Sequence, residues 1–357
     1  MRRLLLFIIF IGVQTNSFSQ NWQLVWEDDF SDDSLDQSKW VHDIGTGSQY
    51  GLNGWGNNEL QYYQPHNTTL NNGIAKIEVK EEPNGIVDSW GNSSYYSSSK
   101  ITTKEIFDFR YGKVEARIKT IDGKGFWPAF WMLPSNGSWP CDGEIDIMEQ
   151  WGNPYLTNST SGAAHIGTCP YSQSTHFYET SSTYISAGSY ADDFHTYSII
   201  WEEDTITWYV DEIELFSLNS SSFLSIPSPS AWPFNSNEWY LMINLAITSS
   251  GPDTNTIFPN QIEIDYVRVY QENVTNIIDV NKINKYVVYP NPAIDAFTIN
   301  GENLKQVKIF NIHGELVLLN NISNNKEIDI SKLNKGMYLI ELEDHFGFKI
   351  NKKLIKN

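Results

Sequence analysis

The chain has 357 residues, a formal net charge of −19 at pH 7 and 13 Trp within an aromatic fraction of 14%. That length accommodates one large β domain, a second small one and a substantial core, while the acidic balance excludes nucleic acid, anionic membrane and heavily sulfated polymers as main partners, because anion recognition draws on clustered Lys and Arg. A neutral ligand fits better, and flat amphipathic indoles suit sugar faces, although most of the thirteen Trp are expected in the core.

In chain order, Arg2-Arg3, an apolar run from Leu4 to Val13 and the small residues Ser17 and Ser19 read as a secretory signal over 1–19. The run is too short to span a bilayer, and no later segment is long enough, so no transmembrane segment is expected. From Trp22 to about Tyr270 the pattern is short strands separated by turn residues, which predicts an all-β sandwich. Its strands include Ile74 to Val79, Gly112 to Ile118, Thr205 to Val210 and Ile262 to Tyr270. In Tyr240 to Ile247, the residues Leu241, Ile243, Leu245 and Ile247 form one apolar face for a core. Asn244 lies on the opposite face with Tyr240, Met242 and Ala246, which suits a curved sheet whose concave side is partly open.

The segment Gly143-Glu144-Ile145-Asp146-Ile147-Met148-Glu149 carries the chemistry. Strict alternation puts Glu144, Asp146 and Met148 on one face and Glu149 on the other. A β-bulge near Ile147-Met148 returns Glu149 to the face of Glu144 and Asp146. Three crowded carboxyls cannot all ionise freely, and that condition lets one donate a proton while another acts as nucleophile. Upstream, Trp127 and Trp131 lie four apart and share a strand face, and Trp139 precedes Glu144 by five residues. His165 falls in the next strand as a candidate hydrogen-bond donor, and Cys141 and Cys169 flank the two strands; the sequence leaves open whether they pair.

Glu144 to Glu149, together with Gly125 to Leu133, Trp55 to Tyr63, Val25 to Phe30 and Ile264 to Tyr270, resembles glycoside hydrolase family 16, in particular its laminarinase-like endo-1,3-β-glucanases. The resemblance covers roughly Trp22 to Gln271 and implies a concanavalin-like β-jelly roll with a concave substrate cleft. It implies Glu144 as nucleophile, Glu149 as acid/base and Asp146 as the residue that tunes Glu144, with cleft roles for Asn58, Trp127, Trp131, Trp139 and His165. No catalytic cofactor is implied, but one structural calcium is, with Asp29 and Asp265 as the matching acids. The chain departs from the family at Thr248 to Asp253, where a Gly-Gly-x-Trp-Pro-Gly turn is common, so one stacking Trp is missing.

Beyond the polar stretch Gln271 to Lys285 the composition changes: Asn276 to Asn357 holds eleven Lys and nine acids, net +2. Strands such as Gln306 to Phe310 and Gly336 to Glu341 predict a separate small β-sandwich. Val288 to Ala293 and Gly336 to Lys353 resemble the C-terminal sorting domain of the type IX secretion system. The expected organisation is a signal peptide at 1–19, a catalytic domain at 20–272, a linker at 273–284 and a sorting domain at 285–357. The expected protein is a secreted or surface-held monomer that engages the secretion machinery and cleaves β-1,3-glucan with retention. Mixed-linkage glucan, a red-algal galactan, or sugar binding without turnover are the alternatives.

Overall fold

The structure, a computed structural model, describes residues 22–152, 158–223, 232–272, 286–301, 304–322, 327–344 and 349–357. The signal segment at 1–19 and the linker at 273–284 lie outside the described residues. The chain divides into two compact units, Met1–Asn273 and Val274–Asn357.

The first unit is a two-sheet β-jelly roll. Its ten-stranded sheet runs Ile213–Asn219, Thr205–Val210, His195–Glu202, Gly112–Lys119, Asn260–Glu272, Ile74–Val87, Ser93–Ser98 and Gln61–Tyr63, with Trp22–Asp28 and Thr68–Asn71 paired off that path. The seven-stranded sheet runs His176–Tyr184, Ser159–Gly167, Glu144–Glu149, Phe126–Pro134, Trp239–Ile247, Lys100–Thr102 and Val41–Asp43. We call Ser159–Gly167 the histidine strand, Glu144–Glu149 the acidic strand and Phe126–Pro134 the tryptophan strand. Leu241, Ile243, Leu245 and Ile247 are fully buried between the sheets, as the alternation predicts, against residues such as Val114, Ile118, Ile199 and Val267. The tryptophans do not follow the expectation that most sit in the core. Trp40, Trp201, Trp208 and Trp239 are buried, whereas Trp55, Trp127 and Trp131 line a cleft on the seven-stranded sheet. An indole has one N–H to place, and a cleft wall satisfies it while leaving a ring face exposed.

The acidic strand is bulged. Against the tryptophan strand, Ile145 opposes Met132 and Asp146 opposes Trp131, then Met148 opposes Phe130 and Glu149 opposes Ala129, leaving Ile147 as the extra residue. The same break appears against the histidine strand, where Asp146 opposes Ala163 and Glu149 opposes Ser161. Ile145, Ile147 and Met148 all enter the core, so Met148 leaves the face that strict alternation gives it and Glu149 takes its place. The distortion is tied to the opposite sheet: the Trp208 indole N–H donates to the main-chain oxygen of Asp146 at 2.8 Å inside the core. Gly162 makes room for that indole, because a Cβ there would lie 2.3 Å from Trp208 Cδ1. Cys141 and Cys169 form a disulfide with Cα atoms 5.6 Å apart, linking the approach to the acidic strand with the exit of the histidine strand.

In the second unit a three-stranded sheet (Val287–Tyr289, Ala296–Asn300, Glu327–Asp329) and a four-stranded sheet (Leu316–Asn321, Leu304–Phe310, Gly336–Asp344, Lys349–Lys356) enclose a core of its own, including Phe297, Ile309, Ile340 and Leu354.

Trp208→Phe keeps the ring but strands the Asp146 carbonyl, a loss of about 1–3 kcal/mol for an unsatisfied buried acceptor. Calorimetry is expected to show a lowered Tm for Trp208→Phe and a larger drop for Gly162→Ala; parental Tm values in both would contradict the pinning of the bulge.

Candidate active site

The bulge brings Glu144, Asp146 and Glu149 onto one wall of a single cleft. Trp127, Ala129 and Trp131 of the tryptophan strand, Asn244 of the neighbouring strand, Lys100, and Trp55, Asn57, Glu59 and Tyr63 from the segment before it complete the lining. Trp127 Nε1 donates to Glu149 Oε1 at 3.0 Å, and the Trp139 side chain stands beside Glu144 and lowers its pKa. His165 Nε2 lies 3.0 Å from Asp146 Oδ2. The other nitrogen, Nδ1, is 3.0 Å from His176 Nε2, so a second histidine fixes the tilt of the first ring.

Electrostatics separate the three acids. Burial, then the negative charges of Asp146 and Glu144, push Glu149 well above the ordinary glutamate value. Burial and the Asp146 charge push Glu144 up to about 8, opposed by His165 and Trp139. Burial raises Asp146 as well, while its interaction with Glu144 pulls it down. Burial and mutual repulsion therefore hold a proton within the cluster, which titrates as a unit, and Glu149, facing both other acids, is pushed up most plainly. A proton donor beside a carboxylate, both facing one cleft, is equipment for acid-assisted displacement at an acetal carbon.

Polar groups hold the floor of the cleft. Asn244 Oδ1 accepts from Trp131 Nε1 at 2.7 Å, and its Nδ2 donates to the Tyr63 hydroxyl at 3.1 Å. This is how a buried Asn is tolerated on that face. Glu59 accepts from Gln61 Nε2 at 2.6 Å and from the Tyr63 hydroxyl at 3.2 Å, and its burial raises its pKa. The Lys100 ammonium sits 4.5 Å from the Trp55 ring centroid and 4.9 Å from that of Trp131, and forms an ion pair with Asp43 at 3.2 Å.

Among the residues expected in the cleft, Trp127, Trp131 and the three acids line it, and Trp139 and His165 reach it through Glu144 and Asp146. Asn58 is exposed, with Oδ1 accepting from Asn53 Nδ2 at 3.3 Å; its neighbours Asn57 and Glu59 supply the lining. Asn58 lies in the turn between Asn53–Gly56 and Gln61–Tyr63, with a left-handed φ of 55°. Lys100, Glu59 and Tyr63 escaped the sequence reading, although Glu59 and Tyr63 lie inside the Trp55 to Tyr63 motif. Asp29 Oδ1 accepts from Ser31 N and Oγ at 3.3 and 2.8 Å, and Asp265 Oδ2 accepts from Arg117 Nη1 at 2.7 Å. These bonds engage one oxygen of each carboxylate, so a cation held by this pair relies on the second oxygens and on main-chain carbonyls.

Residues 55–267 match the family model described as glycosyl hydrolases family 16, and residues 287–357 match that of a secretion system C-terminal sorting domain. The glucan endo-1,3-beta-glucosidase A1 of Niallia circulans is 36% identical over 287 residues, a match covering 74% of this chain but only 40% of that relative. A beta-glucanase of Rhodothermus marinus is 34% identical, covering 73% of this chain and 89% of the relative. The laminarinase catalytic domain of Thermotoga maritima MSB8 superposes with a TM-score of 0.63 at 36% identity, covering 70% of this chain and 98% of that one.

The raised carboxyl of Glu144 makes stability depend on pH with a defined sign. Its folded value of about 8 exceeds the ordinary 4.5, so ionisation above 4.5 favours the unfolded chain and stability is lost progressively up to pH 8. Glu144→Gln removes that penalty. Its Tm should match the parent at pH 4 and exceed it by about 5–10 °C at pH 8, a few kcal/mol in a domain of this size; a Tm difference independent of pH would contradict the burial argument.

Proposed function

Since the chain belongs to glycosyl hydrolases family 16, we propose that this glycoside hydrolase cleaves β-1,3-glucan internally with retention of configuration, through the paired side chains of Glu144 and Glu149. The observation that carries the reading is the bulged register that sets both glutamates on one cleft wall. The C-terminal sorting domain directs the protein out of the cell, to the surface or the medium.

In the first step Glu149, whose carboxyl pKa both other acids push up, protonates the leaving glycosidic oxygen as the Glu144 carboxylate attacks the anomeric carbon. The Trp127 N–H orients the Glu149 carboxyl for that transfer. In the second step Glu149, now a base, takes a proton from water, and the hydroxide oxygen displaces Glu144 from the same carbon. Asp146 interacts with Glu144, which lowers the Asp146 pKa, and His165 Nε2 lies 3.0 Å from the Asp146 carboxylate. Trp131 and Trp55 line the cleft as surfaces for sugar rings, and the Lys100 ammonium over both indoles fixes their spacing. The chemistry uses no cofactor.

The relatives named for 1,3-glucan cleavage support β-1,3-glucan as the substrate. The similar proteins also include a non-specific endo-beta-1,3(4)-glucanase and a keratan-sulfate endo-1,4-beta-galactosidase, so mixed-linkage glucan and galactan stay in the test. The missing stacking Trp near Thr248 to Asp253 bears on preference rather than on bond cleavage. A structural calcium at Asp29 and Asp265 belongs to the same reading, as a cross-link between two ends of the jelly-roll chain with no part in the reaction.

Glu149→Ala should abolish release of reducing ends from laminarin, a loss of at least about 100-fold for a missing general acid, and parental activity would remove the assigned role. A panel of laminarin, mixed-linkage β-glucan and agarose-type galactan is expected to give the highest kcat/KM on laminarin. Chelation with EDTA should lower Tm if calcium is held; an unchanged melting curve removes the ion from the account.

A further inference from the structure

We propose that Tyr171 and Tyr178 extend the cleft wall at Trp139 into a sugar-stacking platform on the far flank of the acidic strand, held in shape by the Cys141–Cys169 disulfide, and that it grips further glucosyl units of the substrate chain. The proposal rests on the glucan reading above and adds a binding surface to it.

The cleft lining described so far is one-sided. Besides the acids, all of it comes from the tryptophan-strand flank and the Trp55 to Tyr63 segment, and none from the histidine strand or from His176–Tyr184 beyond it. An enzyme that cuts inside a polymer must hold sugars on both sides of the scissile bond, because binding energy remote from the reacting atoms fixes their position. On the other flank the structure places a continuous series of rings. Tyr171 meets Trp139 at 5.0 Å between centroids, and Trp139 meets His176 at 4.9 Å. His176 then stacks on His165 at 5.1 Å, and His165 on Tyr178 at 5.2 Å.

This series is wet on one side and chemically anchored on the other. Trp139, Tyr171 and Tyr178 are 41%, 52% and 57% exposed, which is more than a core packing role requires of three adjoining aromatics. At its base, His165 Nε2 lies 3.0 Å from Asp146 Oδ2 and Trp139 stands beside Glu144, so the rings begin at the reacting groups. Indole and phenol rings with one free face and a polar edge are the surfaces on which the C–H face of a pyranose stacks.

The disulfide explains how exposed loop residues keep this geometry. Cys141 follows Trp139 by two positions and Cys169 precedes Tyr171 by two. The bond therefore joins the two loop segments at the point where their aromatic rings touch, and without it the Trp139–Tyr171 contact would depend on two exposed side chains alone. Because Trp139 also stands beside Glu144, loosening the loops adds a length-independent loss to the loss of grip on the outer sugars.

The test compares kcat/KM for laminari-oligosaccharides of increasing length. Tyr171→Ala and Tyr178→Ala should each lose about three- to tenfold on the longest oligosaccharides, the worth of one aromatic contact, with the loss shrinking as the chain shortens. The double variant Cys141→Ser/Cys169→Ser should show the same length dependence, on top of a length-independent loss, with every ring intact. The ring variants decide by themselves if the cysteine variant does not fold. Losses equal at all lengths, or no loss, in folded Tyr171→Ala and Tyr178→Ala proteins would overturn the platform. A parent protein inactive on every oligosaccharide would instead overturn the glucan reading.

Discussion

One hydrogen bond through the core, from the Trp208 indole to the Asp146 carbonyl, holds the irregularity on which the site depends. A regular strand would have sent Glu149 into the hydrophobic layer with Ile145 and Ile147. The extra residue at Ile147 reverses the last turn of the alternation, and the carbonyl that the bulge frees from the ladder is satisfied by a side chain of the opposite sheet. Gly162 belongs to the same arrangement, since only a residue without Cβ lets the indole approach the strand. The sandwich core is thus the part of the molecule that aims the acids.

Crowding three carboxyls into a buried wall opposes folding, and the structure distributes that cost through indole N–H groups. Trp127 serves Glu149, Trp131 orders Asn244 on the floor and Trp208 secures the Asp146 main chain, while Trp139 stands beside Glu144. The first three indoles each give one hydrogen bond and keep a large apolar body for packing or for a ligand. That dual use adds to core filling in accounting for the high tryptophan content. The acids differ in their negative neighbours: Glu149 faces both Asp146 and Glu144, whereas Glu144 faces Asp146, while His165 and an indole act on each of them.

Much of this was legible in the residues. Period-two alternation in Tyr240 to Ile247 gave the core face, and the Glu144 to Glu149 spacing required a bulge if both glutamates were to act together. Contacts between segments distant in the chain were not legible. Nothing local to Trp208 or Gly162 signals that they meet at Asp146, and Lys100 reads as an ordinary strand lysine until Trp55 and Trp131 are folded against it. Asn58 and Asn57 could not be told apart by sequence, because both lie in one turn, with no strand alternation to set which of them faces the cleft. The disulfide needed the strand pairing of Glu144 with His165 before the two cysteines could be placed within bonding range.

The central claim is that one cleft presents Glu144 as nucleophile and Glu149 as proton donor to a single sugar ring. The most direct measurement is trapping with an activated 2-deoxy-2-fluoro laminaribioside, followed by peptide mass spectrometry of the labelled protein. The account predicts a covalent glycosyl ester on Glu144. An ester on Glu149 or Asp146, or inverted product from an enzyme that forms no adduct, would contradict it.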